Sequence, residues 1–393
     1  MNDMTPSRLF QPFQLRDLVL KNRIVISPMC QHAAEDGFAA PWHLVHYGKF
    51  ALGGAGLVFT ESTAVSSQAR VGFADLGLWS DDHVEGLRGI VDFVHANGAA
   101  IGVQLAHPGR KAFSEPLWEG GRALTVETLD ASGLDWRRIG PSPVSPGAQW
   151  SVPEEMTVAE ILEEIERFAA ATRRADRAGF DVVELHFGHG YLASNFLSPL
   201  SNRRTDQYGG SRENRMRFVI EAAEAVRAAW PQGKPLFVRL SCVDGAQDSW
   251  GIEDTIVLAR LLKDVGVDVI DCSSGGFTEE TRAIAVPRGL GFQVPFSERV
   301  RRDVDIATQA VGIIVDPFQA ESILAQDQAD LIAIGREALR NPYWPNEAAI
   351  ALGHARDHST WPFRHADWLA KREPLMRQIE AEGQLEPYRK SAH

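Results

Sequence analysis

Cysteine is scarce. Cys30, Cys242 and Cys272 are the only three in 393 residues, and none forms a CxxC pair. That excludes a disulfide framework and a thiolate metal knuckle, and it falls short of the four thiolates an iron–sulfur cluster takes. No apolar run approaches the roughly 20 residues that cross a bilayer. The opening MNDMTPSRLFQPFQL has no hydrophobic signal core. Basic clusters are also missing, and the net charge is −12. Binding to nucleic acid or to an anionic membrane through a basic face is therefore not expected. No GxGxxG follows the first apolar run, which argues against a dinucleotide-binding Rossmann domain. No fixed-length repeat and no low-complexity segment is present. Together these absences predict a soluble protein of a reducing cytoplasm.

What is present is a recurring unit. Apolar residues make up 44% of the chain, enough for a sizeable core. Short apolar runs occur at Ile24–Ser27, Gly56–Thr60, Ala100–Leu105, Val182–Leu185, Leu236–Leu240, Val267–Cys272, Val311–Val315 and Leu331–Ile334. Helical patterns such as Val158–Ala178, Glu213–Trp230, Ile252–Gly266 and Pro317–Gln326 lie between them. Thr157 with Glu160 forms a capping box, Asp316-Pro317 suits a helix start, and Gly179 and Gly266 fall where a left-handed helix cap is wanted. Strands buried on both faces and alternating with helices imply a parallel sheet. Eight units predict an α/β fold, a closed (β/α)8 TIM barrel. The barrel is expected to span residues 1–345, with a hairpin in Leu9–Leu20 closing its bottom and an ordered insertion at about 108–156. Residues 346–393 form a C-terminal extension.

In such a barrel the active site lies at the C-terminal strand ends. Strand one ends in Ser27-Pro28-Met29-Cys30-Gln31-His32, strand two in Glu61-Ser62-Thr63, and strand three in Gln104-Leu105-Ala106-His107. Strand four ends in His186-Phe187-Gly188-His189-Gly190-Tyr191, and strand five contains Arg239. Strand six ends in Ser273-Ser274-Gly275-Gly276, strand seven runs from Gly312 to near Asp316, and strand eight ends in Gly335-Arg336. The small residues after strand six and Gly335-Arg336 suit a phosphate. Arg239 and Gln104 suit the polar edge of a ring system, and a cation near a flavin's N1/O2 edge stabilises its anionic reduced form. His186 and His189 as metal ligands would need a third ligand and lack a helical HExxH context. As N–H donors they would stabilise charge developing on a carbonyl oxygen, and Tyr191 would supply a proton.

These residues together resemble the old yellow enzyme family of FMN-dependent ene-reductases, and within it the thermophilic-like branch of the YqjM and xenobiotic reductase A types. The resemblance covers roughly residues 7–345. It rests on LKNRIVISPMC (20–30), IGVQLAHPGRKA (101–112), GFDVVELHFGHGYLASNFLSPLSNRRTDQYGGSRENRMRF (179–218), PLFVRLS (235–241), VDVIDCSSGG (267–276) and ADLIAIGREALRNPYWP (329–345). It implies FMN across the barrel mouth, with Ser27, Pro28 and Met29 lining it through backbone and Cys30 beside the flavin's C4a/N5/O4 edge. It implies that Ser62 touches the isoalloxazine, that Gln104 and Arg239 hold the pyrimidine ring, and that Gly312, Gly335 and Arg336 grip the phosphate. His186 and His189 would bind an activating carbonyl and Tyr191 would donate the proton. NADH or NADPH would reduce the flavin, which would pass hydride from N5 to an enone or related small-molecule substrate in ping-pong fashion.

Two residues depart from the branch. His32 stands where a tyrosine is usual, and Phe187-Gly188 where two alanines are common. His32 titrates near neutrality. Phe187 either packs behind its strand or narrows the site and alters the substrate class. The stretch TWPFRHADWL (360–369) resembles the C-terminus of the xenobiotic reductase type. It implies a homodimer or homotetramer in which Arg364 or Trp368 reaches a neighbour's cavity, against the plainer expectation of a helix packed on its own barrel. Two other functions fit the residues: the same chemistry run oxidatively on a ketone, or a non-catalytic flavin-binding redox sensor.

Overall fold

The computed structural model describes residues 7–277, 286–355 and 357–386. Strands are numbered along the chain. A two-residue turn joins β1 (Phe13–Leu15) to β2 (Leu18–Leu20) as an antiparallel hairpin. Next come β3 (Ile24–Ile26), β4 (Leu57–Ala64), β5 (Ala100–Ala106), β6 (Ile139–Gly140), β7 (Glu154–Glu155) and β8 (Val182–Phe187). The last four are β9 (Leu236–Ser241), β10 (Val269–Ser273), β11 (Ala307–Ala310) and β12 (Leu331–Ile334). Eight of them, β3, β4, β5, β8, β9, β10, β11 and β12, close into a parallel barrel, with β12 pairing back to β3. This is the (β/α)8 architecture the alternating pattern predicts.

The period-2 geometry of a strand sorts its residues into two faces. Val183 and Leu185 of β8, Val238 and Leu240 of β9, and Ile270 and Cys272 of β10 belong to the core between barrel and helices. Val25, Leu57, Phe59, Val182, Phe237, Val269 and Leu331 form a separate apolar cluster, the barrel's floor, which Leu15 and Leu20 of the hairpin close. Gly102 in β5 is required there, since a Cβ would lie 2.3 Å from the Phe59 ring. Above the floor the residues of the same parity turn polar: Gln104, Glu184, Arg239, Asp271 and Gln309, each 8% exposed or less.

The helices follow local signals. Thr157 caps Val158–Ala178, with Glu160 completing the capping box, and Gly179 closes that helix at φ 92°. Asp316 accepts from the Phe318 and Gln319 amides at the head of Pro317–Ala325. The insertion carries β6, β7 and a helix at Val126–Ala131. Arg138 binds it internally, donating to the carbonyls of Ala112, Phe113 and Leu124 at 2.8–2.9 Å. The final helix, Phe363–Ala381, buries none of its side chains.

Two expectations need correction. Strand seven is Ala307–Ala310, not Val311–Val315. The apolar VGIIV run is a loop, in which Gly312 has φ 121° and Ile313 φ 53°, and Asp316 caps the next helix rather than ending a strand. Phe187, offered as substrate-binding, shares the parity of Val183 and Leu185. Its ring is 1% exposed and packs edge-on against Phe168, with centroids 5.8 Å apart. Phe187→Ala is therefore expected to lower unfolding free energy by about 3–5 kcal/mol through the cavity it leaves, and to leave the ranking of substrates unchanged. Denaturant unfolding and a substrate panel check the two halves.

Candidate active site

The polar residues above the floor and the loops that follow them meet at one mouth. His186 ends β8 beside Arg239 of β9 in the parallel register. His186 Nε2 lies 3.2 Å from His189 Nδ1, and His189 Nε2 lies 2.7 Å from Ser273 Oγ. The Gly188 amide donates to His186 Nδ1 at 3.4 Å. That tautomer makes Nε2–H the donor to His189, whose own Nε2–H then donates to Ser273. The two rings thus bond to each other rather than aiming at one common point. His189 is held by its backbone as well: its amide donates to Ser241 Oγ, and its carbonyl accepts from Lys111 Nζ. Lys111 also donates to the Gly276 carbonyl, tying the loops after β5, β8 and β10 together.

Both imidazoles are neutral at pH 7. Burial pushes His189 down to about 3, helped by the charges of Arg239 and Lys111. Burial lowers His186 well below its ordinary value, with His189, Arg239 and Lys111 acting the same way. A neutral ring keeps one N–H donor. Tyr191 follows in the chain, its ring 4.8 Å from His186.

Cys30, His32, Lys111, Trp150, His189 and Tyr191 line a cavity of about 210 Å³. Burial raises the Cys30 thiol well above its usual range, with Asp75 and Glu61 adding to the effect, so it stays a neutral S–H and no nucleophile. The loop carrying it is pinned by Glu61, which is fully buried in β4. Glu61 accepts from the Gln31 amide and the Tyr47 hydroxyl, and His43 Nε2 is 3.1 Å away. His32 has φ 48° and Nδ1 2.8 Å from Asp75 Oδ1. Burial alone would lower its pKa, but the hydrogen bond and charge of Asp75, with Glu61 and Glu119, raise it.

A second cavity of about 560 Å³ opens between the ends of β11 and β12, lined among others by Gln293, Gly312, Ile314, Gly335 and Arg336. At Gly312 a Cβ would lie 3.1 Å from the Phe292 ring, and its φ excludes most side chains. Ser27 accepts from Arg239 Nη1 at 3.2 Å, and Gln104 donates to Glu184 at 2.7 Å. Ser62 lies beside Gln104 in the register, and Met29 is the nearest side chain to Gly335. The structure sets Cys30, His32, His189 and Tyr191 around one cavity with His186 against them, sets Gly312, Gly335 and Arg336 around the other, and turns Phe187 away from both. It adds Glu61, Asp75, Lys111, Glu184, Asp271 and Ser273. Glu184 and Asp271 carried a signal: each interrupts an apolar run at an inward position. Asp75 carried none.

A TIM barrel with a roomy cavity at the ends of β11 and β12, a guanidinium at mid-barrel and a neutral imidazole pair above it suits a phosphate-bearing ring cofactor, as in the flavin-dependent oxidoreductases. The NADH:flavin oxidoreductase / NADH oxidase family model matches residues 8–353. An NADPH dehydrogenase of Geobacillus sp. (strain WCH70) is 46% identical over 351 residues, 88% of this chain and 94% of that protein. The NADPH dehydrogenase of Bacillus velezensis is 44% identical over 347 residues, 88% and 95% of the two. Morphinone reductase has a similar structure, with TM-score 0.73, 28% identity and coverage of 89% and 91%. The chain belongs to the NADH:flavin oxidoreductase family, the old yellow enzymes. It is an FMN enzyme that takes its electrons from a nicotinamide. Among the described residues no helix is long and apolar enough to cross a membrane.

The lowered histidine values set a pH expectation. Unfolded, each ring protonates near 6.5. Folded, His189 does so only near 3. The pair's contribution to stability is therefore complete above about pH 6.5 and fades as pH falls toward 3. Glu164, raised to about 7 by burial, works in the opposite sense, so the rings themselves are the clean readout. Their NMR resonances are expected to stay those of neutral imidazole from pH 8 to pH 5. A titration near 6.5 would contradict this.

Proposed function

We propose that the enzyme reduces the activated C=C bond of α,β-unsaturated carbonyl compounds. The observation that carries this reading is the neutral His186–His189 pair beside Tyr191 and the Cys30 cavity. FMN fits the residues beneath it. Gly312, Gly335 and Arg336 would hold the phosphate in the larger cavity. Gln104 and Arg239 would hold the pyrimidine edge; Arg239 Nε has no hydrogen-bond partner in the described structure. Ser27, Pro28, Met29, Cys30 and Ser62 would line the ring. Bound FMN supplies hydride, taken from NADPH or NADH and given to the substrate's β-carbon.

The chain's own part is to place and polarise. The substrate oxygen takes the two imidazole N–H groups, breaking the His186–His189 and His189–Ser273 bonds. These donors, kept neutral, meet the charge that grows on that oxygen in the transition state. Tyr191 delivers the proton to the α-carbon. His32, anchored on Asp75, presents its other nitrogen as a further donor to the substrate. The oxidative alternative uses the same groups, and direction is set by the substrates supplied.

The test separates the half-reactions. Without air, NADPH should bleach the yellow protein and 2-cyclohexenone should restore the colour. Bleaching by neither nicotinamide would contradict the reading. Tyr191→Phe is expected to slow reoxidation by the enone about 10²–10⁴-fold, the range for a lost general acid, with bleaching by NADPH little changed. Equal loss in both halves would assign Tyr191 to cofactor binding instead.

Localisation in the cytoplasm and a homodimer or homotetramer are part of the same proposal. Phe363, Trp368 and Leu375 stand 86%, 73% and 57% exposed on the terminal helix; Trp368 and Leu375, seven residues apart, share a side that a second copy would cover. Truncation after Gly353 is expected to shift the species in sedimentation to the monomer and to lower activity. Unchanged mass and activity would overturn the shared-site proposal for Arg364 and Trp368.

A further inference from the structure

Five polar residues occupy one level inside the barrel, on adjacent strands: Gln104 on β5, Glu184 on β8, Arg239 on β9, Asp271 on β10 and Gln309 on β11. The register pairs Gln104 with Glu184, Arg239 with Asp271, and Asp271 with Gln309. Glu184, Asp271 and Gln309 are fully buried. One guanidinium therefore faces two carboxyls in a space closed below by the apolar floor. With both ionised, that space would hold an unbalanced negative charge, which is costly away from water.

The hydrogen-bond inventory points the same way. Glu184 Oε1 accepts from Gln104 Nε2 at 2.7 Å. Glu184 Oε2 and both Asp271 oxygens have no aligned donor among the described residues. Arg239 Nε is 3.3 Å from Asp271 Oδ2, an ion-pair contact without hydrogen-bond direction. The two carboxyls come within hydrogen-bond reach of each other, acceptor to acceptor, and one proton resolves both. Burial raises both carboxyls and Arg239 pulls both back toward ionisation; Asp271 raises Glu184, whereas Gln309 and Glu184 as hydrogen-bond partners favour the ionised Asp271. Two such groups titrate as a pair.

We propose that Glu184 and Asp271 hold a single proton between them, carried on Glu184 Oε2 and donated to the Asp271 carboxylate, and that this neutralised layer beneath Arg239 sets the flavin's reduction potential. The inference rests on the seating of FMN's pyrimidine edge at Gln104 and Arg239. The reduced cofactor carries one more negative charge than the oxidised one, and Arg239 favours it. Asp271 tempers that preference. The proton on Glu184 prevents a second negative charge from cancelling it. Glu184 and Asp271 are positioning residues: they act on the flavin through Arg239.

Two readouts on the FMN-loaded protein test this. The infrared difference spectrum between the parent and Glu184→Gln at pH 7 should contain the C=O band of a protonated carboxylic acid; the band of Glu164, raised to about 7 by burial, is common to both proteins and cancels. Potentiometry then reads the charge. Glu184→Gln swaps one neutral group for another, and the ratio of affinities for reduced and oxidised FMN should change less than about twofold. Adding Asp271→Asn removes the remaining negative charge and should raise that ratio about tenfold, about 30 mV for a two-electron couple. No protonated-acid band in that difference spectrum, or a potential shift in Glu184→Gln alone as large as in the double variant, would overturn the shared proton. If the band behaves as expected but the double variant's potential stays put, the seating of the flavin fails and the proton stands. Should the double variant not fold, the parent's band and Glu184→Gln decide.

Discussion

Arg239 is a cation that cannot leave the barrel. It is 8% exposed, above a floor of Phe237, Val269 and their neighbours, and it must be compensated where it stands. The register of β9 against β10 meets that requirement by setting Asp271 beside it, while the register against β8 sets the neutral His186 on its other side. A slip of one residue in either strand would turn every inward group toward the helices. The stack of layers follows: apolar floor, charged middle, imidazole top. Each layer depends on the one below being dry.

The same positive charge explains the state of the histidines. Arg239 and Lys111 lie near enough to repel a proton from rings that burial has already made hard to charge. Lys111 does this while performing a structural task, joining the His189 and Gly276 carbonyls across two loops. Donors kept neutral need change no protonation state as charge develops on a bound oxygen, once they have turned from each other toward it. His32 is the counterexample within the same cavity. A buried carboxylate holds it and favours its charged form, so one wall of that cavity differs in character from the other. A tyrosine at this position would donate without ever carrying charge near neutral pH.

Much of this was legible in the residue order, because strands buried on both faces and helices with caps write local signals. Thr157 with Glu160, Gly179 and Asp316 all act where their types predict. Seven of the eight barrel strands fall on apolar runs. The exception, Ala307–Ala310, spends an inward position on the buried Gln309, while the apolar VGIIV beside it lines a cavity wall and so imitates a strand. Phe187 misled for a related reason: between two site histidines in sequence, it points to the opposite face of the strand. The Asp75–His32 and Glu61–His43 contacts were invisible because the first joins two loops and the second a helix to a strand, with no spacing rule to connect them. The acids Glu184 and Asp271 were visible as interruptions but had no meaning until the barrel closed around them.

The account stands on the two imidazoles and the guanidinium serving one flavin and one carbonyl. A crystal structure of the FMN-loaded protein with an unreactive cyclic ketone bound tests this most directly. The account predicts a single ligand oxygen about 2.6–3.2 Å from a nitrogen of each histidine, above a flavin whose pyrimidine edge rests on Gln104 and Arg239. A ligand oxygen held elsewhere, with the His186–His189 bond intact, would contradict it.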